Sequence, residues 1–136
     1  AFMIDTMGRV TIGSATATRL QLTIDGGGAS VERQLDAAST VTVDWNLRNQ
    51  YTITMTANTT FIFTNPVLGF TGRLNLCHNA SGPWSAIWPA STTIQWSGSD
   101  VPPSLTIRPG HCDVISVEYT NATGTPIYFM VKNGRF

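Results

Sequence analysis

The sequence predicts an all-β protein, an antiparallel β-sandwich or jelly roll with a short N-terminal arm. Apolar and polar residues alternate along seven segments, and this period of two places each set on one face of a strand. Threonine fills many of the polar positions, where its β-branched side chain suits a half-exposed sheet. Turn-forming residues recur about every 8–12 residues, as is typical of sandwiches and barrels. One apolar face per strand favours antiparallel sheets packed on each other.

The alternating segments are the predicted strands, and they follow one another along most of the chain. They cover residues 41–47, 51–57, 74–76, 94–96, 105–107, 115–119 and 127–131. Turn signals such as Asn65-Pro66, Ser81-Gly82-Pro83 and Pro109-Gly110 separate them. Residues 29–39 fit either one short helix or a strand, and the alternation within them favours the strand.

The chain is predicted to have two parts, an N-terminal arm of residues 1–28 and a β-domain of residues 29–136. The arm has fewer large apolar residues than the rest and ends in Gly26-Gly27-Gly28. Three consecutive glycines make a flexible segment, so we place the boundary there.

Composition excludes several classes of partner. The 136 residues include 8 basic and 8 acidic ones, so the formal net charge is zero, and only 12% of the chain is charged. Nucleic acid is not an expected partner, because neutralising phosphates requires clustered cations. A membrane is not expected either, since no apolar run approaches the roughly 20 residues that span a bilayer.

The only cysteines and histidines occur as two adjacent pairs in mirrored order, Cys77-His78 and His111-Cys112. On adjacent antiparallel strands, Cys77 would face Cys112. All four side chains could not meet at one metal, because neighbours on a strand point to opposite faces, so no metal site is predicted. The favoured interpretation is two ordinary thiols and two packed or partly exposed histidines. A Cys77–Cys112 disulfide is the alternative.

The supply of catalytic groups is thin, and we expect neither an enzyme nor a cofactor. There is no Gly-x-Ser-x-Gly nucleophile motif, and the acidic residues form no sequence pair of the kind that glycosidases need. His111 and Asp113 could form a base and its orienting group. The favoured role of Asp113 is instead structural, as an acceptor of backbone N–H bonds at the start of a strand.

Four aromatic residues are the candidate binding residues: Trp84, Trp88, Trp96 and Tyr128. The three tryptophans fall near predicted loops, and alternation along residues 127–131 places Tyr128 on the outward face of its predicted strand. Trp88 and Trp96 bracket a short segment, so their indoles can meet and plug one end of the core. Core plugs or subunit-interface anchors are the favoured roles. Stacking platforms for sugar rings are the alternative.

Two stretches resemble proteins of tailed-bacteriophage virions. Gly8-Arg9-Val10-Thr11-Ile12-Gly13-Ser14, followed by Leu20-Gln21-Leu22, resembles an element of phage tail-fibre proteins. Within residues 41–132, the order of Trp88-Pro89, Trp96-x-Gly98, Pro103-x-Leu105-Thr106 and Asp113-x-Ile115-x-Val117 resembles a β-sandwich domain of virion appendages. Ser97-Gly98-Ser99 departs from the loop that this family often has after the second tryptophan.

The resemblance implies a virion protein that is assembled in the bacterial cytoplasm and forms a homotrimer. The short chain favours a capsid decoration (cement) protein that binds the major capsid protein or other virion proteins and stabilises the head. The element from Gly8 to Ser14 favours the alternative, a tail- or head-fibre component that binds a host surface receptor or glycan.

Overall fold

The computed structural model describes residues 2–4, 6, 10–12, 32–90, 93–106, 108–122 and 124–135. These residues form eleven β-strands and no helix, so the predicted all-β class is confirmed, and none of them lies in a helix that could span a membrane. The strands are β1 (Phe2–Ile4), β2 (Val10–Ile12), β3 (Arg33–Leu35), β4 (Thr40–Asp44), β5 (Gln50–Met55), β6 (Thr59–Thr64), β7 (Phe70–His78), β8 (Ala86–Ile87), β9 (Ile94–Trp96), β10 (Cys112–Thr120) and β11 (Ile127–Arg135).

The chain alternates between two sheets from β3 to β8. The six-stranded sheet has the order β3-β5-β7-β10-β11-β9, and the three-stranded sheet has the order β4-β6-β8. Each odd strand and the even strand that follows it therefore make one coil, and three such coils stack with their strands parallel. This is the arrangement of a short β-helix.

The predicted antiparallel pairing is wrong for most of the molecule. Among the described strands, five of the eight pairings are parallel, and in the six-stranded sheet only β10 runs against its neighbours. Alternation reports which face of a strand is buried, but it carries no information about direction. Here each strand returns to its own sheet through the other sheet, and such a crossover connection makes neighbours parallel.

The two sheets share one hydrophobic core. Across the large sheet, Leu74 of β7 pairs with Tyr51 on one side and with Ile115 on the other, and all three side chains are buried. The sheets meet through ring contacts, including Phe63 with Tyr128 at 5.1 Å. Fully burying one such side chain stabilises the fold by roughly 1.5–3 kcal/mol.

The corners after β4 and β6 stack on each other because polar groups there are paired. The Asp44 carboxylate accepts the backbone N–H of Asn46 at 3.0 Å and the side-chain amide of Asn65 at 3.1 Å. The N–H of Trp45 donates to the carbonyl of Thr64 at 3.1 Å. Asn65 has a φ of 52°, a left-handed conformation that asparagine tolerates better than most residues.

Two sequence predictions concern the N-terminal part. The strand expected within residues 29–39 is present at Arg33–Leu35, parallel to β5. In the arm, β1 and β2 pair antiparallel. The boundary at Gly26-Gly27-Gly28 lies outside the described residues and stays a prediction.

Candidate functional site

The connection from β9 to β10 forms the candidate site together with the loops around β8. It leaves β9 at Trp96, and both of its ends are bonded to the large sheet, through the Ser97 N–H to the Met130 carbonyl and the Gly110 N–H to the His78 carbonyl. Two further bonds hold the part between them. The Lys132 ammonium donates to the carbonyl of Ser104 at 2.6 Å. The Thr106 N–H donates to the Asp113 carboxylate at 2.5 Å. The Pro102-Pro103 segment is thereby held beside the tryptophans.

Asp113 is the buried anchor of this connection. Its carboxylate is fully buried, accepts a second bond from the Thr106 hydroxyl at 2.8 Å and pairs with Lys132 at 2.9 Å. Burial by itself raises the pKa of the carboxyl, but the Thr106 N–H and the Lys132 ammonium outweigh it and hold the pKa below its usual value. The predicted role as acceptor of a backbone N–H is confirmed, and the donor lies seven residues earlier in the chain.

His78 lies inside the fold, where it cannot act as an accessible base. It is 1% exposed, and its Nδ1 accepts the backbone N–H of Trp84 at 3.4 Å. Its Nε2 is buried with no hydrogen-bond partner in the described part of the chain. Burial lowers the pKa of His78, and the Asp113 charge offsets part of that shift. His78 is therefore neutral at pH 7.

The structure joins Cys77 and Cys112 in a disulfide, so the favoured interpretation of two ordinary thiols is wrong. The mirrored sequence order explains the bond, because β7 and β10 are adjacent, antiparallel and in a register that places Cys77 opposite Cys112. The two histidines beside these cysteines are also joined, but through the backbone: the His78 N–H donates to the His111 carbonyl at 3.1 Å. No group of three or more His, Cys, Asp or Glu in the described ranges could hold a metal ion.

Trp88 and Trp96 meet at one end of the core, as the sequence predicts. Their rings are 5.1 Å apart and nearly perpendicular, and Trp88 also stacks on Phe61 at 5.1 Å. Trp96 is buried, whereas Trp88 is half-buried and keeps part of its ring towards solvent.

Trp84 is fixed on three sides. Its Nε1 donates to the side-chain oxygen of Asn79 at 2.8 Å, and its backbone N–H donates to His78. Its ring lies directly against Gly82, where an added Cβ would fall 2.2 Å from Nε1. The indole therefore has a defined orientation although it is only half-buried.

Trp84 and Trp88 line a cleft of about 380 Å³ together with Pro102, Pro103 and Ser104. On the other side of Trp88, a second cleft of about 420 Å³ is lined by Trp96 and Pro102, among others. The clefts thus follow the exposed edge of the tryptophan cluster. Three of the four predicted aromatic residues come together here.

Tyr128 is the exception, and its predicted outward orientation is wrong. It is 6% exposed and packs against Tyr119 at 4.8 Å and Phe63 at 5.1 Å. Burial raises the pKa of its hydroxyl to about 12. Alternation does not identify the buried face of β11, because both of its faces are apolar. Tyr128 and Met130 share one face, and Ile127 and Phe129 share the other.

The outer face of the three-stranded sheet is a surface that the sequence prediction missed. It carries β-branched residues from all three strands: Thr40, Thr42, Thr60, Ile62 and Ile87. The signal was present in the alternation of residues 40–44 and in Ile62, which falls between Phe61 and Phe63 on the opposite parity. Parallel pairing was needed to bring these residues together.

Comparison of the chain with protein-family models, with curated proteins and with solved structures gives no match.

Proposed function

We propose that this protein is a structural component of a tailed-phage virion, a trimeric decoration protein that binds the major capsid protein on the assembled head. The observation that carries the proposal is the uncharged, β-branched outer face of the β4-β6-β8 sheet. We call this surface the Thr/Ile face and define it as Thr40, Thr42, Thr60, Ile62 and Ile87.

The Thr/Ile face is continuous across the three strands. Thr42 lies beside Ile62, and Thr60 lies beside Ile87, in the parallel register of the sheet. Ile62 is 44% exposed and Ile87 is 53% exposed. Parallel sheets are normally covered on both faces, so a solvent-facing parallel sheet with apolar side chains is expected to pack against another protein.

A second copy of the chain is the partner that the charge distribution favours. The five residues of the face carry no charge, and the one acidic residue of β4 on the same side, Asp44, is bonded to Asn46 and Asn65 at the end of the strand. The whole chain has zero formal charge. Copies can therefore approach through the five residues of the face, with a like charge only at Asp44.

The remaining features suit a particle component. The groups that could do chemistry serve the fold, because Asp113 holds Thr106 and Lys132 and His78 is buried. Disulfides persist on particles outside the cell, virions included. The described residues share only the all-β class with the implied sandwich domain. A trimer that binds only the assembled head stabilises it by mass action.

The Thr/Ile face is tested by Ile62→Glu, with Val67→Glu as the matched control. Both residues are exposed and apolar, but Val67 lies in the corner after β6 and not on the face. Subunit association makes the melting temperature rise with protein concentration. We expect this rise, and trimeric products of chemical cross-linking, for the natural chain and for Val67→Glu but not for Ile62→Glu. Equal behaviour of all three proteins would overturn the assignment of the interface.

A further inference from the structure

We propose that the cleft between Trp84, Trp88 and the Pro102-Pro103-Ser104 segment binds a neutral saccharide. This cleft shares no lining residue with the Thr/Ile face. Its volume of about 380 Å³ lies within the range of small-molecule sites.

The two indoles supply flat apolar surfaces of fixed orientation. Trp84 is backed by Gly82 and tied to Asn79, and Trp88 is backed by Phe61. Neither ring needs to be ordered when a ligand binds, which lowers the entropic cost of binding. A pyranose ring presents C–H bonds on its faces, and these pack against an aromatic plane.

The polar groups at the cleft fit hydroxyl groups better than ions. The described residues that line it carry no charge, and Ser85 and Ser104 provide hydroxyls beside the indoles. A charged ligand would lose its hydration there without gaining a counter-charge. A saccharide combines the apolar ring faces and neutral hydroxyls that these residues match.

The rim of the cleft is held by bonds that do not use the lining side chains. The Ser104 carbonyl accepts Lys132, and the Ser85 N–H donates to the Asn58 side chain at 2.9 Å. The backbones of Ser85 and Ser104 are therefore positioned, and both residues line the cleft.

The test uses the full chain and neutral oligosaccharide probes: maltohexaose, cellohexaose, laminarihexaose and tetra-N-acetylchitotetraose. Indole N–H signals are followed by NMR during titration, because the chain has four tryptophans and Trp45 is buried in the core. We expect at least one probe to move the Trp84 and Trp88 signals and to leave Trp45 unchanged.

Two variants separate the cleft from the rest of the surface. Ser104→Tyr fills the cleft from an exposed position and leaves both indoles in place, and Trp84→Ala removes one of them. Trp84→Ala is expected to weaken binding about tenfold or more, the size found for loss of one aromatic partner of a stacked nucleobase. Ser104→Tyr is expected to weaken binding because its side chain occupies the volume of the ligand. Val67→Tyr, an equally bulky change in the corner after β6, is the control and should bind normally.

The proposal is overturned if no probe moves these signals at millimolar concentration, or if Ser104→Tyr and Trp84→Ala both bind as the natural chain does. Binding by a protein that is monomeric would remove the trimer proposal and leave the saccharide site standing. A trimer that binds no probe would support the trimer proposal and overturn the saccharide site.

Discussion

At the scale of single residues, Asp113 joins the β9–β10 connection to the large sheet through its bonds to Thr106 and Lys132, and no sequence pattern indicates the second of these partners. Asp113→Ala removes the acceptor of Thr106 and leaves the Lys132 ammonium, whose side chain is 21% exposed, without its ion-pair partner and with only the Ser104 carbonyl as acceptor. We expect a loss of about 3 kcal/mol in the free energy of unfolding, measured with urea. Asp100→Ala, at an exposed position, is the control and should change stability by less than about 0.5 kcal/mol. Equal stability of the two variants would contradict this role.

His78 makes stability depend on pH. Its pKa is lowered in the folded state by burial, so the unfolded chain binds the proton more readily. The stabilisation is complete above the unfolded pKa of about 6.5 and is lost as the pH falls below it. Asp113, whose pKa is also lowered, adds a further loss below about pH 4.

The measurement for this prediction is the free energy of unfolding between pH 8 and pH 4. His78→Phe should remove the loss that begins near pH 6.5, whereas the control His111→Gln should keep it. A natural chain that is equally stable at pH 7 and pH 5 would show that His78 is not buried as described.

Single residues were predictable where the local pattern determines the environment. The acceptor role of Asp113 and the meeting of Trp88 with Trp96 follow from position beside turns. The orientation of Tyr128 does not, because apolar residues occupy both faces of β11. Free thiols are the favoured interpretation of the sequence because the expected compartment, the bacterial cytoplasm, is reducing. The mirrored order of Cys77 and Cys112 nevertheless indicates the register in which the disulfide forms.

At the scale of strands and connections, Gly72 allows β7 to pass close to the corner before β5. An added Cβ there would lie 2.4 Å from the Phe70 ring and 2.8 Å from the Asn49 carbonyl oxygen, which already accepts the Arg73 N–H. Gly72→Ala should therefore destabilise the protein by about 1–3 kcal/mol, the usual cost of overpacking. Thermal unfolding checks this, with the exposed neighbour Thr71→Ala as control. An unchanged melting temperature would mean that the corner moves freely.

The disulfide joins β7 to β10 and closes a loop with a sequence separation of 35. Loop-closure entropy gives a stabilisation of about 4 kcal/mol for such a loop. We expect reductant to lower the urea midpoint of the natural chain accordingly. The double variant Cys77→Ala, Cys112→Ala should match the reduced protein and show no further response. A natural chain with the same midpoint in reductant and oxidant would contradict the bond.

Strand positions were more predictable than strand directions. Period-two alternation predicts the positions of β4, β5, β10 and most of β11, because a strand with one buried face has apolar residues at every second position. Direction depends on which strand a segment returns to, and that depends on crossovers of varying length. The coil formed by β5 and β6 therefore cannot be predicted from the sequence of either strand alone.

At the scale of the whole molecule, three parallel coils present two surfaces of different chemistry. The five residues of the Thr/Ile face are uncharged, and the tryptophan-lined cleft lies where the β9–β10 connection packs beside β8. The sequence located the tryptophans but not the face, since the face exists only when β4, β6 and β8 lie side by side. One surface suits another copy of the chain and the other suits a small neutral ligand.

The most direct measurement is the solution mass of the intact chain by light scattering across a range of concentrations. We expect a trimer, with a mass about three times 14.7 kDa. A mass of 14.7 kDa at the highest concentration would contradict it, because the Thr/Ile face would then remain exposed in a stable monomer.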